Sequence, residues 1–287
     1  MTVVEVLSEE RQRLTRIAYR MLGSWSDAED VIGDVAVESI RGDHDPDNPA
    51  GWLTTITIRR SLDLLRRRKR ERQHYIGPWL PEPRIGDDST GPERVADQRA
   101  DLSIGFLRLA ESLTPTQRAV IILRSLDYSH DEISALLEIS AAASRQHEHR
   151  GRRRLGRTSD PTAPDTDDDQ QRLTRRLLDS FLVAAEHGDS AELIKLLHDD
   201  VVYYSDGGGR VKAARNPIIG PAKIARFLVG IGRRNRLTAA GMITVNDRPG
   251  IEITLAGNRH LITLDVEGDQ IIAIYDLSNP DKLPAER

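Results

Sequence analysis

Basic side chains near the middle of the chain have the types and spacing that suit one chemistry, the binding of nucleic acid. Read as a helix, the sequence brings four of them to one side of it, namely Arg145, His149, Arg152 and Arg153. Guanidinium groups donate paired hydrogen bonds to the edge of guanine, and they form charge-assisted bonds with phosphates. This chemistry is recognition alone and needs no covalent step.

The stretch from 129 to 155 must position those side chains, and it reads as two helices joined by a tight turn. Ile133, Leu136 and Leu137 give the first helix an apolar inner face. Ser140 can cap the second helix, which would lie in the major groove as in a helix-turn-helix. An ordinary helical hairpin with a solvated basic end is the alternative, since Glu138 stands where many such turns have glycine.

A second basic block lies at 59–72, where eight Arg or Lys residues stand against two acids. It closes a helix predicted to follow Pro49, and it offers a surface for phosphates although the whole chain has a net charge of −4. Trp52 opens that helix and could stack on an unpaired base. A tryptophan at the start of an amphipathic helix is more often part of the core, and we favour that interpretation.

Composition narrows the class of protein. The 287 residues include no cysteine, so we expect neither disulfides nor thiolate metal sites, and we predict no metal and no cofactor. No apolar run approaches the roughly 20 residues that span a membrane. Charges interrupt the N-terminal segment early, which argues against a signal peptide. The sequence therefore predicts a soluble, cytoplasmic protein.

Changes in composition divide the chain into five segments. Residues 1–72 and 101–157 are predicted to be helical, and the proline-rich linker 73–100 is either a stiff spacer or docked on another surface. Residues 158–170 form an acidic linker. The last segment, 171–287, begins with two helices and continues with strands, which predicts an α+β domain. Its predicted strands are 201–205, 210–214, 238–245, 251–256, 260–266 and 270–277.

Three stretches, in this order, resemble the extracytoplasmic-function sigma factors, which are subunits of bacterial RNA polymerase. They are RIAYRMLGSWSDAEDVIGDV (16–35), NPAGWLTTITIRRSLDLLRRRKR (48–70) and LTPTQRAVIILRSLDYSHDEISALLEIS with SRQHEHRGRRRL (113–155). The last third resembles a SnoaL-like domain of the NTF2-like fold, which one subgroup of these sigma factors carries as a fused extension. The motifs similar to that subgroup are WLPEP (79–83), DGGGR (206–210) and NPDKL (279–283).

The resemblance implies two all-α sigma domains, region 2 at 1–72 and region 4 at 101–157, followed by a cone-shaped α+β domain. It implies a sigma factor that binds core RNA polymerase and directs initiation at specific promoters, with the last domain modulating this activity in cis. The polymerase surfaces implied are the β′ clamp and the β flap, and no membrane and no separate anti-sigma factor are required. The implied clamp contacts are Asp27, Glu29, Asp30 and Asp34.

The implied promoter contacts form two groups. Those of region 2 with the −10 element are Trp52, Arg59, Arg60, Arg66, Arg67 and Lys69. In region 4, which would bind the −35 element as duplex, Arg145 is the best candidate to read a base edge. Ser144, Gln146 and His149 come next, whereas Arg152 and Arg153 are expected to hold phosphates.

The C-terminal domain leaves several interpretations open. The implied regulatory contacts are Trp79, Leu80, Pro81, Asp206, Gly207, Gly208, Gly209, Arg210, Asn279, Pro280, Asp281, Lys282 and Leu283. The candidates to line a pocket for an unidentified small ligand are Tyr203, Tyr204, Asp206, Asp265 and Tyr275. No acid and base stand at a spacing that suits catalysis, so we expect no enzyme. The alternatives are a DNA-binding regulator that acts without polymerase, and a small-molecule enzyme or sensor built on 171–287.

Overall fold

A computed structural model of the chain describes residues 2–41, 46–86, 103–155, 168–235 and 237–284. The chain divides into two compact units, the first formed by 1–74 with 106–163 and the second by 75–105 with 164–287. The second half of the linker predicted at 73–100 and nearly all of the acidic linker predicted at 158–170 lie outside the described residues.

Three long helices open the first unit: α1 (Val3–Leu22), α2 (Trp25–Arg41) and α3 (Pro49–Glu71), which continues as a short 3-10 helix at Arg72–His74. Thr2 and Glu5 form a capping box at the start of α1, and Gly23 ends the helix in a left-handed conformation at φ 69°. Ala28, Val31, Ile32 and Val35 form the buried apolar face of α2, whereas Ile40 is 70% exposed. Ile40 lies in the last turn of its helix, beyond the buried stripe.

Four shorter helices follow: α4 (Ile104–Ala110), α5 (Pro115–Ser125), α6 (His130–Leu137) and α7 (Ala141–Leu155). Thr114 and Ser129 each form a capping box, at the start of α5 and α6. The predicted cap of α7 is confirmed, since Ser140 Oγ accepts a hydrogen bond of 3.0 Å from the amide of Ala143. Glu138 makes the turn between α6 and α7 in the left-handed region at φ 55°, which costs a residue with a Cβ roughly 1–2 kcal/mol.

The second unit is an α+β domain, as predicted. Its helices are α8 (Asp168–His187), α9 (Ser190–Leu196) and α10 (Pro221–Gly232). Its strands are β1 (Ile85–Gly86), β2 (Leu197–Asp206), β3 (Ile218–Ile219), β4 (Leu237–Val245), β5 (Arg248–Leu255), β6 (Asn258–Glu267) and β7 (Gln270–Leu277). They form one sheet in the order β1-β4-β5-β6-β7-β2-β3, and β2 pairs with β7 in parallel.

The prediction of a strand at 210–214 is wrong. Residues 207–210 form a tight turn, in which the amides of Arg210 and Val211 bond to the carbonyl of Gly207. The chain rejoins the sheet only at β3, which pairs with β2 at Val202 and Tyr203. Only Val211 in this stretch is a strong β former, and the three consecutive glycines before it set the course of the chain at this point.

The sheet has two covered faces, because side chains alternate along each strand. On the helix-covered face, a core from α8, α9 and α10 packs on strand residues such as Ile251, Leu264 and Ile274. On the linker-covered face, Leu80 packs with Leu261, Tyr275 and other strand residues, and it has no exposed surface. The segment 75–86 is therefore docked on the C-terminal domain, which decides between the two interpretations of the linker.

Candidate nucleic-acid interface and linker-binding site

Helix α7 presents the basic surface predicted for the helix-turn-helix. Arg145, Gln146, His149 and Arg153 are exposed on it, and Arg152 is half-buried. Arg152 Nε donates a hydrogen bond of 3.0 Å to Glu148, whose carboxylate also lies 3.2 Å from His130 Nε2. Glu148 thus ties the recognition helix to α6, while the other basic side chains face solvent.

Ser144 was predicted to be a base contact, and the structure contradicts this. The residue is fully buried, and its hydroxyl lies 2.9 Å from His130 Nδ1, so it joins α7 to α6 instead of facing DNA. On the same inner side, a Cβ added to Gly151 would lie only 3.0 Å from Ile121. The close packing of α7 on α5 and α6 fixes which side of α7 can meet a groove.

The basic end of α3 is held in exposed ion pairs. Arg59 donates to Glu138 at 2.6 Å, Arg66 to Asp63 at 2.8 Å, and Arg60 to Glu38 at 2.5 Å. Exposed pairs of this kind stabilise a fold by about 1 kcal/mol or less, so a polyanion can compete for the arginines. Arg67 is exposed as well, and the side chain of Lys69 lies outside the described residues.

Trp52 lies in the first turn of α3 and is half-buried. Its neighbour Leu53 is fully buried in the helical core. The indole is therefore neither a fully enclosed core side chain nor a freely exposed platform, and part of its surface remains accessible for stacking.

The acidic residues of α2 separate into two groups. Glu29, Asp30 and Asp34 are exposed, and Asp34 lies 3.4 Å from Arg60 Nη1 in an exposed ion pair. Asp27 was predicted to belong with them, but it is only 6% exposed and accepts a hydrogen bond of 2.6 Å from Arg68 Nη2. The prediction is wrong for Asp27, because this carboxylate faces α3 and stabilises the packing of the two helices.

A buried cluster of charges that the sequence analysis missed centres on Glu111. Its carboxylate accepts hydrogen bonds from both Arg72 and Arg118. Burial raises the pKa of the Glu111 carboxyl, but the two guanidinium groups outweigh it and hold the pKa below its ordinary value. Arg72 Nη2 also donates to the carbonyl of Leu22 at 3.1 Å. The cluster joins the end of α1, the residues after α3 and the start of the second group of helices, α4–α7.

The second unit holds its linker through the buried carboxylate of Asp206, which has no exposed surface. Its Oδ1 accepts hydrogen bonds from the hydroxyl of Tyr75 at 2.6 Å and the amide of Gly208 at 3.0 Å. Its Oδ2 accepts from the amide of Leu80 at 2.8 Å and from Lys282 Nζ at 2.7 Å. Two donors from the linker, one from the C-terminal tail and one from its own turn satisfy the carboxylate, as a buried charge requires.

Lys282 closes this site from the other side. Its Nζ donates to the carbonyl of Leu80 at 2.6 Å and lies 4.3 Å from the ring centre of Trp79 and 4.7 Å from that of Tyr75. Asn279 Nδ2 donates to the hydroxyl of Tyr75 at 2.9 Å. Burial and the neighbouring Asp206 raise the pKa of the Tyr75 phenol, so it remains a hydrogen-bond donor.

The glycines of the DGGGR motif let the linker and tail approach this closely. A Cβ at Gly208, whose φ is 58°, would collide with the side chain of Asn279. A Cβ at Gly209, at φ 74°, would lie 2.8 Å from Ile76. At the rim, Arg210 Nε donates to Asp281 at 3.1 Å in an exposed pair. Pro81 is buried, Leu283 is half-buried and Pro280 is exposed. We refer to this assembly of 75–81, 206–210 and 279–283 as the linker-binding site.

The residues predicted to line a pocket do not share one. Tyr203 faces the helix-covered side, whereas Tyr204 and Tyr275 stack at 5.6 Å on the linker-covered side. There Tyr275 donates to Asp265 at 2.8 Å, and burial raises the pKa of the Asp265 carboxyl. The sequence showed no acid and base at a spacing that suits catalysis, but the structure pairs two such residues, since His260 Nδ1 lies 2.8 Å from Asp276 Oδ1. The two residues are 16 positions apart and meet only through the pairing of β6 with β7.

Among the described residues, no three His, Asp or Glu side chains are grouped so that they could hold a metal ion. None of the helices in the described residues is long and apolar enough to cross a membrane.

Comparisons with known proteins agree with the two helical groups and extend to the whole chain. The family models described as Sigma-70 region 2 and Sigma-70, region 4 match residues 6–71 and 104–155. The ECF RNA polymerase sigma factor SigJ of Mycobacterium tuberculosis is 30% identical, over 95% of this chain and 90% of that protein. The probable ECF sigma factor SigI of the same species is 27% identical, over 95% and 92%. The crystal structure of SigJ matches 97% of this chain and 97% of its own with a TM-score of 0.76 and 26% identity.

Proposed function

Because this chain belongs to the extracytoplasmic-function sigma factors, which bind core RNA polymerase and promoter DNA to initiate transcription, we propose that its α+β domain modulates initiation in cis by holding the linker. The observation that carries the proposal is the linker-binding site itself. Asp206 and Lys282 of the C-terminal domain bind the segment that connects the two helical groups in sequence.

Docking of the linker would limit how far apart regions 2 and 4 can lie. Regions 2 and 4 would bind separate promoter elements, so the chain between them limits how far apart those elements can be. Residues 75–86 are docked, and extended chain spans about 3.3 Å per residue. Fully extended, these residues span at most about 40 Å, so their release would free that length of chain between regions 2 and 4. Docking of the linker should set the distance between the −10 and −35 elements that the protein accepts.

Within this proposal, the exposed residues of each helical group make the contacts. Arg145, Gln146 and His149 read base edges of the −35 element, and Arg152 and Arg153 hold its phosphates. The proposed contacts with the −10 element are Trp52, Arg59, Arg60, Arg66, Arg67 and Lys69. Glu29, Asp30 and Asp34 dock on the β′ clamp, and region 4 meets the β flap.

Runoff transcription with core polymerase tests the proposal. The full chain is compared with K282Q on promoters whose spacer between the two elements is shortened or lengthened one base pair at a time. K212Q is the matched control, because Lys212 is an exposed lysine of the same domain. We expect the wild type and K212Q to favour one spacer length, and K282Q to lose that preference.

The release of the linker is measured in parallel by limited trypsin digestion at Arg84, whose amide donates to Asn246 Oδ1 at 2.8 Å in the docked state. Faster cleavage of K282Q with an unchanged spacer preference would refute control of reach by the linker. The same assay contains no other regulator, so spacer-dependent transcription by the full chain alone supports activity without a separate anti-sigma factor.

A further inference from the structure

We propose that one side of α10 binds the phosphates of duplex DNA, in addition to the contacts that regions 2 and 4 make with the promoter. The side chains that carry this proposal belong to the C-terminal domain, and we refer to them as the α10 stripe. They are Lys223, Arg226, Arg233 and Arg234. None of the four takes part in the linker-binding site.

Positive charge is concentrated in the part of the sequence that contains α10. Residues 207–246 include eight Arg or Lys and no Asp or Glu, although the whole chain has a net charge of −4. Like charges that no acid neutralises repel one another, and together they create a positive potential that attracts polyanions. The stretch therefore has the composition of a surface that binds phosphates.

The fold gathers four of these cations on one side of α10. The opposite side packs into the core through Ile224, Ala225 and Val229, which fixes the orientation of the helix. The amide of Asn235 bonds to the carbonyl of Ile231 at 2.9 Å, so the helical path continues beyond the end of α10. At 3.6 residues per turn, the α10 stripe occupies a sector of about 100° and extends about 17 Å along the axis.

The four side chains of the α10 stripe are exposed, and they form no ion pair or hydrogen bond with any described residue. Gly230 lies between them on the same side, and a Cβ added there would meet no atom within 4 Å. The middle of the stripe thus has no side chain, so a partner can approach the helix closely. Elsewhere in the domain, Arg172 pairs with Asp169 at 3.1 Å and Lys195 with Glu192 at 2.9 Å.

The residue types of the α10 stripe indicate which polyanion it binds. Arg and Lys form charge-assisted hydrogen bonds with phosphates, whereas proteins that bind single strands add aromatic side chains on which the bases stack. Phe227, the one aromatic residue of α10, is half-buried and lies 5.4 Å from the ring of Tyr203. Duplex DNA presents one negative charge per about 1.7 Å of its axis, which suits a straight row of cations.

Membership of the sigma-factor family supplies the duplex. Promoter DNA held by the helical groups is tethered to the same chain, so its effective concentration near the C-terminal domain is high. A small number of phosphate contacts is then enough to hold DNA outside the two promoter elements. These contacts would add affinity without adding sequence preference.

The test measures fluorescence anisotropy of a labelled duplex that lacks both promoter elements, with the full chain at several salt concentrations. R226Q/R233Q is compared with R172Q/K195Q, which removes two positive charges from exposed ion pairs of the same domain. We expect R226Q/R233Q to lower the slope of log affinity against log salt by about 1.8, or about 0.9 for each phosphate contact. Its affinity should fall roughly tenfold at low salt, and the control should keep the wild-type slope.

G230E is a second variant, because it places a carboxylate in the middle of the α10 stripe where no atom obstructs it. It should weaken binding of the duplex as well. The urea midpoints of both stripe variants should stay at or above that of the wild type, since no intramolecular ion pair is lost.

Three results would overturn the proposal. The first is a wild-type slope for R226Q/R233Q, or no binding of the duplex by the wild type. The second is an equal loss in R172Q/K195Q, because the effect would then be one of net charge alone. The third is an unchanged slope together with weaker association with core polymerase, which would assign the α10 stripe to an acidic protein surface.

Discussion

The nucleic-acid interface of the first unit and the linker-binding site of the second use charge in opposite ways. In the first unit, the arginines of α3 and α7 lie at the surface, in exposed ion pairs or facing solvent. In the second, the carboxylate of Asp206 is fully buried, and the side chain of Lys282, which is only 9% exposed, bonds to it and to the linker. Exposed charges can exchange one partner for another at little cost, whereas buried charges hold one arrangement. Exposed charges therefore suit binding to a polyanion, whereas buried charges suit a contact that is either fully formed or fully broken.

The largest effect that this comparison predicts is that of D206A. Removal of the carboxylate leaves the ammonium of Lys282 and three other donors without their acceptor, so we expect a loss of about 3–5 kcal/mol. Hydrogen exchange of the amides in β2 and β7 measures it. D281A is the control, because its pair with Arg210 is exposed and should contribute less than about 1 kcal/mol. Similar losses in both variants would contradict the contrast between buried and exposed charges.

The next effect separates two exposed arginines of α7. We expect R145A to weaken binding of the −35 duplex by about 1–3 kcal/mol and to relax the preference at one base pair. R153A should weaken binding to all sequences alike and reduce the slope of affinity against salt by about one ion. Titrations with a panel of single-base variants at several salt concentrations measure both. Equal and sequence-independent losses would place Arg145 with the phosphate contacts.

A smaller effect is predicted for R59Q. This variant breaks the exposed pair with Glu138, so the free energy of unfolding should change by less than about 1 kcal/mol. The affinity for the −10 strand should nevertheless fall, since one phosphate contact is lost. Urea unfolding and binding to single-stranded DNA give the two numbers. A large loss of stability with unchanged DNA binding would make Arg59 a structural residue.

The smallest effect concerns pH. The pKa of His260 is raised above 6.5 in the folded protein, so the protonated ring stabilises the fold fully below that value, and this contribution is lost as the pH rises through the folded pKa. The urea midpoint of the wild type should therefore approach that of H260Q as the pH rises above about 6.5. A constant difference between the two proteins across this range would exclude a protonated His260.

Much of the fold follows from local sequence signals. The apolar spacing and the caps predicted the helices of 129–155, and the composition of 171–287 predicted an α+β domain. Ser144 and Asp27 were assigned to the wrong side because a polar residue that faces a neighbouring helix has the same sequence signature as one that faces solvent. The pair of His260 and Asp276 was missed because sheet register, which is not local, brings them together. The turn at 268 joins β6 to β7, but a register shift between Asp265 and Val266 moves the pairing by one residue, so counting back from the turn would not have placed Asp276 on the same face as His260.

The order of the segments along the chain determines when the linker-binding site can form during synthesis. Lys282 comes after the last strand, and more than a hundred residues separate it from the end of the recognition helix at Leu155. A ribosome adds about 5–20 residues per second, and domains fold as they emerge. For roughly ten seconds of its synthesis, a nascent chain therefore contains both helical groups while Lys282 is not yet present to bind the linker between them.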